Sequence, residues 1–157
     1  MTTLVLVRHA KSDWGDPGLD DHDRPLNTRG MRDAPTLAAR LADSGLRPDA
    51  LLSSTALRAR TTAGFFGSAL GLDVELDPDL YGAPASALLA AAAARSVDGV
   101  IVVAHDPGMT VLAERLSGGG IGHMPTCAVA TFRWSTPDWD VATSVDPDEW
   151  TFDSPRG

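Results

Sequence analysis

The stretch Thr3-Leu4-Val5-Leu6-Val7-Arg8-His9 decides the fold of this chain. Residues 3–7 form an apolar run without regular polar alternation, which predicts a strand buried on both faces, as in a parallel sheet. The strand ends at Arg8 and His9, and a polar, turn-rich loop is predicted over residues 10–27. Ligands of open α/β sheets bind outside the carboxyl ends of the strands. Arg8 and His9 therefore stand where a binding site is expected.

Helical and strand patterns alternate along the rest of the chain. Thr28 is predicted to cap a helix that runs to about Asp43, with a kink at Pro35 and an end at Gly45. The other predicted helices span residues 55–70, 85–95 and 107–116. The other predicted strands span residues 50–53, 73–76, 100–104, 126–134 and 140–145, and the last ten residues are expected to form a polar fringe. This alternation predicts a three-layer α/β/α sandwich with a mostly parallel central sheet.

Length and composition narrow the class of protein. The 157 residues fit a single domain, 1–157, with a substantial core. A net charge of −8 argues against nucleic-acid binding, which needs a basic surface. The sequence contains one cysteine, so no intrachain disulfide can form, and it has no apolar stretch long enough to cross a membrane. We therefore expect a cytoplasmic protein that binds neither nucleic acid nor membrane.

Charged and nucleophilic side chains follow three of the predicted strands. Arg8 and His9 end the first, Arg58 lies one helical turn beyond the second, and His105 follows the strand at residues 100–104. Because the carboxyl ends of parallel strands share one edge of a sheet, these side chains are expected to converge. Arginines and helix N-terminal amides bind phosphate dianions, and an imidazole can attack phosphorus as a covalent nucleophile. The pattern thus predicts a phosphate site.

The motifs around these residues resemble those of the histidine phosphatase superfamily, the phosphoglycerate-mutase-like proteins. The matching blocks occur in order across roughly residues 3–134: Leu6-Val7-Arg8-His9-Ala10; Arg24-Pro25-Leu26 with Gly30; Ser53-Ser54-Thr55-Ala56-Leu57-Arg58-Ala59-Arg60-Thr61-Thr62-Ala63; and Val103-Ala104-His105-Asp106-Pro107-Gly108. The short chain and its Arg-His-Ala-Lys-Ser opening are most similar to the SixA-type phosphohistidine phosphatase branch.

This resemblance implies an enzyme that works without metal or cofactor. It makes His9 the nucleophile of a covalent phosphohistidine intermediate, and it makes Arg8, Arg58 and His105 the ligands of the phosphoryl group. Asp106 stands where the family often has Asn, and the family uses the backbone amide of this position. A carboxylate beside a bound dianion is unfavourable unless it turns away to cap the helix. Lys11, two residues after His9, is a further candidate for substrate binding.

The general acid is the least defined part of the predicted site. Many relatives place a carboxylate after the third strand, and here the register puts Tyr81 near that position, with Asp79 close by. We therefore expect weak general-acid catalysis, with Asp79 as the candidate. Such an enzyme would favour substrates with good leaving groups, and protein phosphohistidine is the substrate that the resemblance implies. The alternatives are a general small-molecule phosphatase and a phospho-ligand binding module without turnover.

Two other chemistries are disfavoured by the sequence. Cys127 and Arg133 have the Cys-x5-Arg spacing of cysteine phosphatases, but the intervening residues lack the glycines that a phosphate-cradling loop commonly uses. The acidic segment 20–23 contains His22, but one histidine with adjacent acids lacks a closed metal geometry. His123 lies in a glycine-rich segment and is expected to be a loop residue.

Overall fold

A computed structural model of the chain describes residues 1–156, and its centre is a mixed β-sheet. Within these residues the sheet has six strands: β1 (Thr2–Arg8), β2 (Ala50–Ser53), β3 (Val74–Leu76), β4 (Gly99–Ala104), β5 (Val129–Trp134) and β6 (Glu149–Asp153). The strand order is β3-β2-β4-β1-β5-β6. The first four strands are parallel, while β5 runs antiparallel to β1 and β6 antiparallel to β5. The prediction of a mostly parallel sheet is confirmed.

Helices cover both faces of the sheet. They are α1 (Thr28–Asp43), α2 (Leu57–Leu70), α3 (Ala85–Ala94), α4 (Gly108–Leu116) and the short α5 (Trp139–Ala142). Val5 and Val7 of β1 pack in one apolar cluster with α1 and α2, whereas Leu4 and Leu6 pack in a second with α3 and α4. This alternation confirms the three-layer sandwich. In the described part of the chain, none of the helices is both long and apolar enough to cross a membrane.

The central strands explain why the sequence opens on an unbroken apolar run. The side chains from Leu4 to Val7 in β1 and from Val100 to Ala104 in β4 are completely buried. The two strands pair in register from Thr3 with Gly99 to Arg8 with Ala104. Both strands therefore end at the same level of the sheet, and the residue that follows each is a histidine.

The region predicted as a strand over residues 140–145 instead contains the end of a short helix, α5, followed by a turn. Asp138 caps α5, because its side chain accepts a hydrogen bond from the backbone N–H of Asp140 at 2.9 Å. The indole of Trp139 donates to the carbonyl of Val97 at 2.5 Å and is almost fully buried. The cap and this long-range contact override the local strand pattern.

The chain's last residues also differ from the prediction, because they are not only a polar fringe. Residues 149–153 form β6, which pairs with β5 from Arg133 opposite Glu149 to Val129 opposite Asp153. Trp150 packs closely against Gly120, where an added Cβ would meet the indole ring. In the described part of the chain β6 is an edge strand, and its residues are mostly exposed. Its sequence, Glu-Trp-Thr-Phe-Asp, alternates as a strand does, and the prediction of a polar fringe overlooked that pattern.

The first turn of α1 is capped one residue earlier than predicted. The side chain of Asn27, not Thr28, accepts the backbone N–H of Gly30 at 2.9 Å. The helix then continues through Pro35 to Asp43.

Two motif glycines are required by close backbone packing beside the strand ends. A Cβ at Gly30 would collide with the carbonyl oxygen of Lys11, and a Cβ at Gly108 with that of Ala83. Each collision is with main chain, which cannot rotate away as a side chain can. These glycines therefore let α1 and α4 approach the loops that border the carboxyl edge of the sheet.

We predict that Gly108→Ala lowers the free energy of unfolding by about 1–3 kcal/mol, the usual cost of overpacking. The matched control is Gly64→Ala in α2, where an added Cβ meets nothing within 4 Å. That variant should gain about 0.5–1 kcal/mol, because alanine favours a helix over glycine. Urea denaturation of the three proteins makes the comparison. Equal stability of Gly108→Ala and Gly64→Ala would contradict the close approach.

Candidate active site

His9 is fixed at the end of β1 by its backbone and by its ring. Its N–H donates to the carbonyl of Ala104 in the neighbouring strand at 3.1 Å. Its Nδ1 lies 2.8 Å from the carbonyl oxygen of Ala10. A carbonyl can only accept, so Nδ1 carries the proton and Nε2 keeps its lone pair. The ring is thereby held in the tautomer that offers Nε2 as a nucleophile.

The surroundings of His9 keep the ring neutral. Burial, more than any other cause, lowers the pKa of His9 to about 3, and the charges of Arg58 and Arg8 act in the same direction. The hydrogen bond to Ala10 opposes this shift in part. A neutral ring at ordinary pH is what nucleophilic attack requires, because the protonated imidazole has no free lone pair.

His105 follows β4 and lies beside His9. The two ring centroids are 5.1 Å apart. The Nε2 atom of His105 lies 2.8 Å from the hydroxyl oxygen of Ser54, the residue that follows β2. Burial is the main cause that lowers the pKa of His105 to about 4, followed by the charge of Arg58. The ends of β1, β4 and β2 thus come together as the sequence predicted.

Arg8 and Arg58 supply the positive charge of this pocket. Arg8 donates through Nη1 to the carbonyl of Met124 at 2.9 Å, and the same atom lies 3.5 Å from a carboxylate oxygen of Asp106. Arg58 donates through Nη2 to the carboxylate of Asp21 at 2.9 Å and through Nη1 to its carbonyl at 2.6 Å. Each guanidinium is therefore oriented by one backbone carbonyl and one carboxylate.

Three buried nitrogen atoms of this pocket have no hydrogen-bond partner within residues 1–156. They are Nε of Arg8, Nε of Arg58 and Nδ1 of His105. Buried polar groups are nearly always paired in folded proteins, and leaving one unpaired costs about 1–3 kcal/mol. The Nε–H groups are obligatory donors, and Nδ1 of His105 can become one. They belong to the three residues that act electrostatically on His9, and together they fit the oxygens of a phosphoryl group.

Asp106 and Lys11 take different places near the pocket. The carboxylate of Asp106 accepts the backbone N–H and the hydroxyl of Thr110, each at 2.9 Å. It therefore caps the first turn of α4, the orientation that relieves its repulsion with a bound anion. The ammonium group of Lys11 has no ion-pair or hydrogen-bond partner in the described part of the chain. A substrate-binding role for either residue stays a prediction. His123 reaches the rim, with Nδ1 4.0 Å from Asp106.

At the mouth of the pocket, its entrance from the solvent, the structure places the ring of Tyr81, rather than Asp79, against the rings of His105 and His22. Asp79 is exposed in a short 3₁₀ turn (Pro78–Leu80), where its backbone N–H bonds to Asp77. The Tyr81 ring lies edge-on to His105 at 5.5 Å and to His22 at 5.0 Å. Its hydroxyl donates to Asp21 at 2.5 Å, and this bond raises the pKa of Tyr81. Tyr81 is therefore poorly suited to give up its proton.

Sequence reasoning missed the residues that support the site from behind. Thr62 of α2 accepts the backbone N–H of Ala10 at 3.0 Å and donates to the carbonyl of Arg58 at 2.8 Å. It so fixes Ala10, the residue whose carbonyl contacts the His9 ring. Arg24 is buried, donates to Ser12 and Asp21 and lies under the ring of Trp14, which anchors the loop over residues 12–24. The arginine of the Arg-Pro-Leu block was the available signal.

The residues considered for cysteine-phosphatase chemistry and for metal binding do not have the geometry that either chemistry needs. Cys127 is buried in the apolar cluster of α1 and α2, and burial raises the pKa of its thiol to about 12, so the thiol stays protonated. Arg133 lies at the far end of β5, paired with Glu149. Between residues 1 and 156, no group of three or more metal-ligating side chains comes together, including at residues 20–23.

We predict that His9 and His105 remain neutral at about pH 5.5, well below the ordinary histidine pKa of about 6.5. Titration by ¹⁵N NMR of the ring nitrogens measures this directly. A histidine pKa lowered by folding means that the unfolded chain binds more protons below pH 6.5, so the fold loses stability as the pH falls from there. A bound phosphate mimic should raise both pKa values. Protonation of His9 at about pH 6 in the free protein would contradict the account.

Comparison with known proteins agrees with this geometry. Residues 4–82 match the model of the histidine phosphatase superfamily, branch 1. An uncharacterised chloroplastic protein of Arabidopsis thaliana is 30% identical over 94% of this chain and 73% of its own length. A solved structure from Agrobacterium tumefaciens, assigned as phosphohistidine phosphatase SixA, is 32% identical, with a TM-score of 0.79 over 96% of this chain and 94% of that one.

A second such structure, from Nakamurella multipartitia, is also assigned as SixA. It is 27% identical, with a TM-score of 0.83 over 99% of this chain and 97% of that one. The strand ends, the two histidines and the two arginines therefore lie in a fold shared with phosphatases. The chain belongs to the histidine phosphatase superfamily, in its SixA-type branch.

Proposed function

We propose that this protein hydrolyses protein phosphohistidine through a covalent phosphohistidine intermediate on His9. The observation that carries the proposal is the set of three unpartnered buried nitrogens on Arg8, Arg58 and His105, the residues that act electrostatically on the neutral ring of His9. Two are guanidinium N–H donors, and all three can contact phosphoryl oxygens while Nε2 of His9 faces phosphorus. Fixed donors of this kind stabilise the charge of phosphoryl transfer without reorganising.

The first chemical step forms one bond and breaks another. The Nε2 lone pair of His9 attacks phosphorus in line with the leaving group, and the electron pair of the broken bond leaves with the departing nitrogen or oxygen. Nδ1 keeps its proton, because the Ala10 carbonyl accepts it at 2.8 Å throughout. The phosphorylated ring is therefore protonated at its far nitrogen.

The second step returns His9 to its starting form. Water attacks phosphorus, and the Nε2–phosphorus pair returns to the ring. The proton on Nδ1 remains in place, so His9 departs as neutral imidazole and phosphate carries the proton from water. Arg8 and Arg58 contact the same oxygens in both steps. The residues present thus account for turnover with water as the only second substrate.

The preference for phosphohistidine rests on two considerations. Solved relatives carry the name phosphohistidine phosphatase SixA. Asp79, the candidate general acid, is exposed, and the ring of Tyr81 is the group that contacts His105. General-acid catalysis is worth about 10²–10⁴-fold for a poor leaving group. Phosphohistidine depends on it least, because a protonated imidazole leaves readily. The closest alternative is a small-molecule phosphatase of the same mechanism.

We expect His9→Ala to abolish turnover of 4-nitrophenyl phosphate and of a phosphohistidine protein, because phosphorus then has no acceptor nitrogen. Cys127→Ala is the matched control, since this buried thiol lies next to the strand end but faces the core. It should retain activity. Loss of activity in Cys127→Ala with the fold intact, or steady turnover by His9→Ala, would overturn the assignment. Binding of phosphate without turnover by the natural sequence would favour a binding module.

Comparison of kcat/KM between a phosphohistidine protein and a panel of alkyl phosphates separates the two substrate classes. The proposal expects the phosphohistidine protein to be preferred. A higher value for any alkyl phosphate would assign the enzyme to small phosphoesters.

A further inference from the structure

The mouth of the pocket carries a carboxylate, Asp21, that orients Arg58 and has no assigned contact with the substrate. Asp21 lies in a 3₁₀ turn (Asp21–Asp23) of the loop before Arg24. Its side chain is 49% exposed, whereas the side chain of Arg58, to which it is bonded, is 7% exposed. Asp21 therefore lies at the boundary between the buried pocket and the solvent.

The carboxylate of Asp21 still has room for another donor. Its Oδ2 atom accepts hydrogen bonds from Arg58 at 2.9 Å and from Tyr81 at 2.5 Å, whereas Oδ1 accepts one from Arg24 at 3.2 Å. A carboxylate offers about four acceptor positions in total. One position on Oδ1 therefore remains for a group that arrives from the solvent side.

In-line attack by His9 directs the leaving group toward the mouth of the pocket, where Asp21 lies. Attack on phosphorus is in line, so the leaving group departs on the side opposite Nε2 of His9. His9 is 7% exposed and lies at the bottom of the pocket, while Tyr81, at 39% exposed, lies with Asp21 at the mouth. The Tyr81 ring, edge-on to His105, forms a flat wall on which a planar leaving group can pack.

The charges of the pocket favour a leaving group that is positively charged. Arg8 is paired with Asp106 and Arg58 with Asp21, so the positive charges are balanced before substrate binds. A substrate with a second phosphate or a carboxylate at the mouth would be repelled by Asp21. A protonated imidazole would be attracted, and its ring N–H is a donor that fits the remaining acceptor position.

We propose that Asp21 determines specificity by accepting a hydrogen bond from the distal ring N–H of phosphohistidine. This inference rests on the proposed function and names the residue that recognises the leaving group. As the phosphorus–nitrogen bond breaks, its electron pair goes to the departing nitrogen and the distal proton stays on the ring. The ring leaves as neutral imidazole, so no further acid is needed. Asp21 favours the protonated ring and thereby replaces a general acid.

The variant test compares Asp21→Asn with Asp20→Asn, which removes the same charge one residue away. The probes are N-phosphoimidazole and 4-nitrophenyl phosphate. Asp21 also holds Arg58, so both rates should fall in Asp21→Asn. The ratio of the two kcat/KM values should shift against N-phosphoimidazole by about tenfold or more, the size of one charge-assisted hydrogen bond. Asp20→Asn should keep the natural ratio. An equal fall for both probes would overturn the proposal.

A change in the substrate tests the same contact without a variant. 1-Methyl-3-phosphoimidazole keeps the positive ring charge but has no distal N–H. The quantity compared is kcat/KM divided by the uncatalysed rate constant of the same substrate. For the natural protein this ratio should be about tenfold lower for the methylated substrate than for N-phosphoimidazole. In Asp21→Asn, whose uncharged amide oxygen accepts the N–H more weakly, the difference should become smaller. Equal acceleration of both substrates by the natural protein would overturn the role of Asp21. The proposed function is tested separately, because His9-dependent turnover of 4-nitrophenyl phosphate does not involve this hydrogen bond.

Discussion

The parallel pairing of β1 with β4 is the contact on which the candidate site depends. The two strands are buried on both faces and joined in register up to Arg8 and Ala104. The next hydrogen bond, from His9 N–H to the Ala104 carbonyl, sets the two histidines side by side. β2 pairs with β4 and brings Ser54 to His105. The fully buried central strands therefore position His9, so the proposed phosphoryl transfer would need little reorganisation.

Burial at the carboxyl edge of the sheet makes the histidines neutral but leaves the arginines charged. It lowers the pKa of His9 and His105, so both rings give up their charge. An arginine cannot do so, and Arg8 and Arg58 are instead compensated by Asp106 and Asp21. The result is a neutral His9 ring whose pKa two fixed cations lower further. The unpaired N–H groups lower the stability of the free protein, as is common where a site is shaped for a ligand.

The elements that the sequence predicted correctly, and the strand ends that it predicted to converge, are those with a strong local signal. β1 and β4 are continuous apolar runs because both faces are buried, and His9, Arg58 and His105 follow strands whose ends must share an edge. α5 and β6 were mispredicted because each depends on distant partners. Trp139 is held by Val97, and β6 exists through its pairing with β5.

The mouth of the site could not be predicted for a similar reason. Asp21 and Tyr81 are 60 residues apart and belong to separate loops, so no spacing in the chain indicates that they meet. Asp79 was the better candidate on residue type alone, since a carboxylate is the usual acid. The 3₁₀ turn over Pro78–Leu80 ends beside Tyr81 and places that ring over His105 instead.

The central claim is that the Ala10 carbonyl fixes the tautomer of His9 and so makes Nε2 the atom that receives phosphorus. The most direct measurement is ³¹P–¹⁵N correlation NMR on enzyme with ¹⁵N-labelled histidine, quenched in base during turnover, because phosphohistidine survives alkali. The account predicts a phosphorus–nitrogen coupling to Nε2 of His9, with Nδ1 unmodified. Phosphorus on Nδ1 of His9, or on another residue, would contradict it.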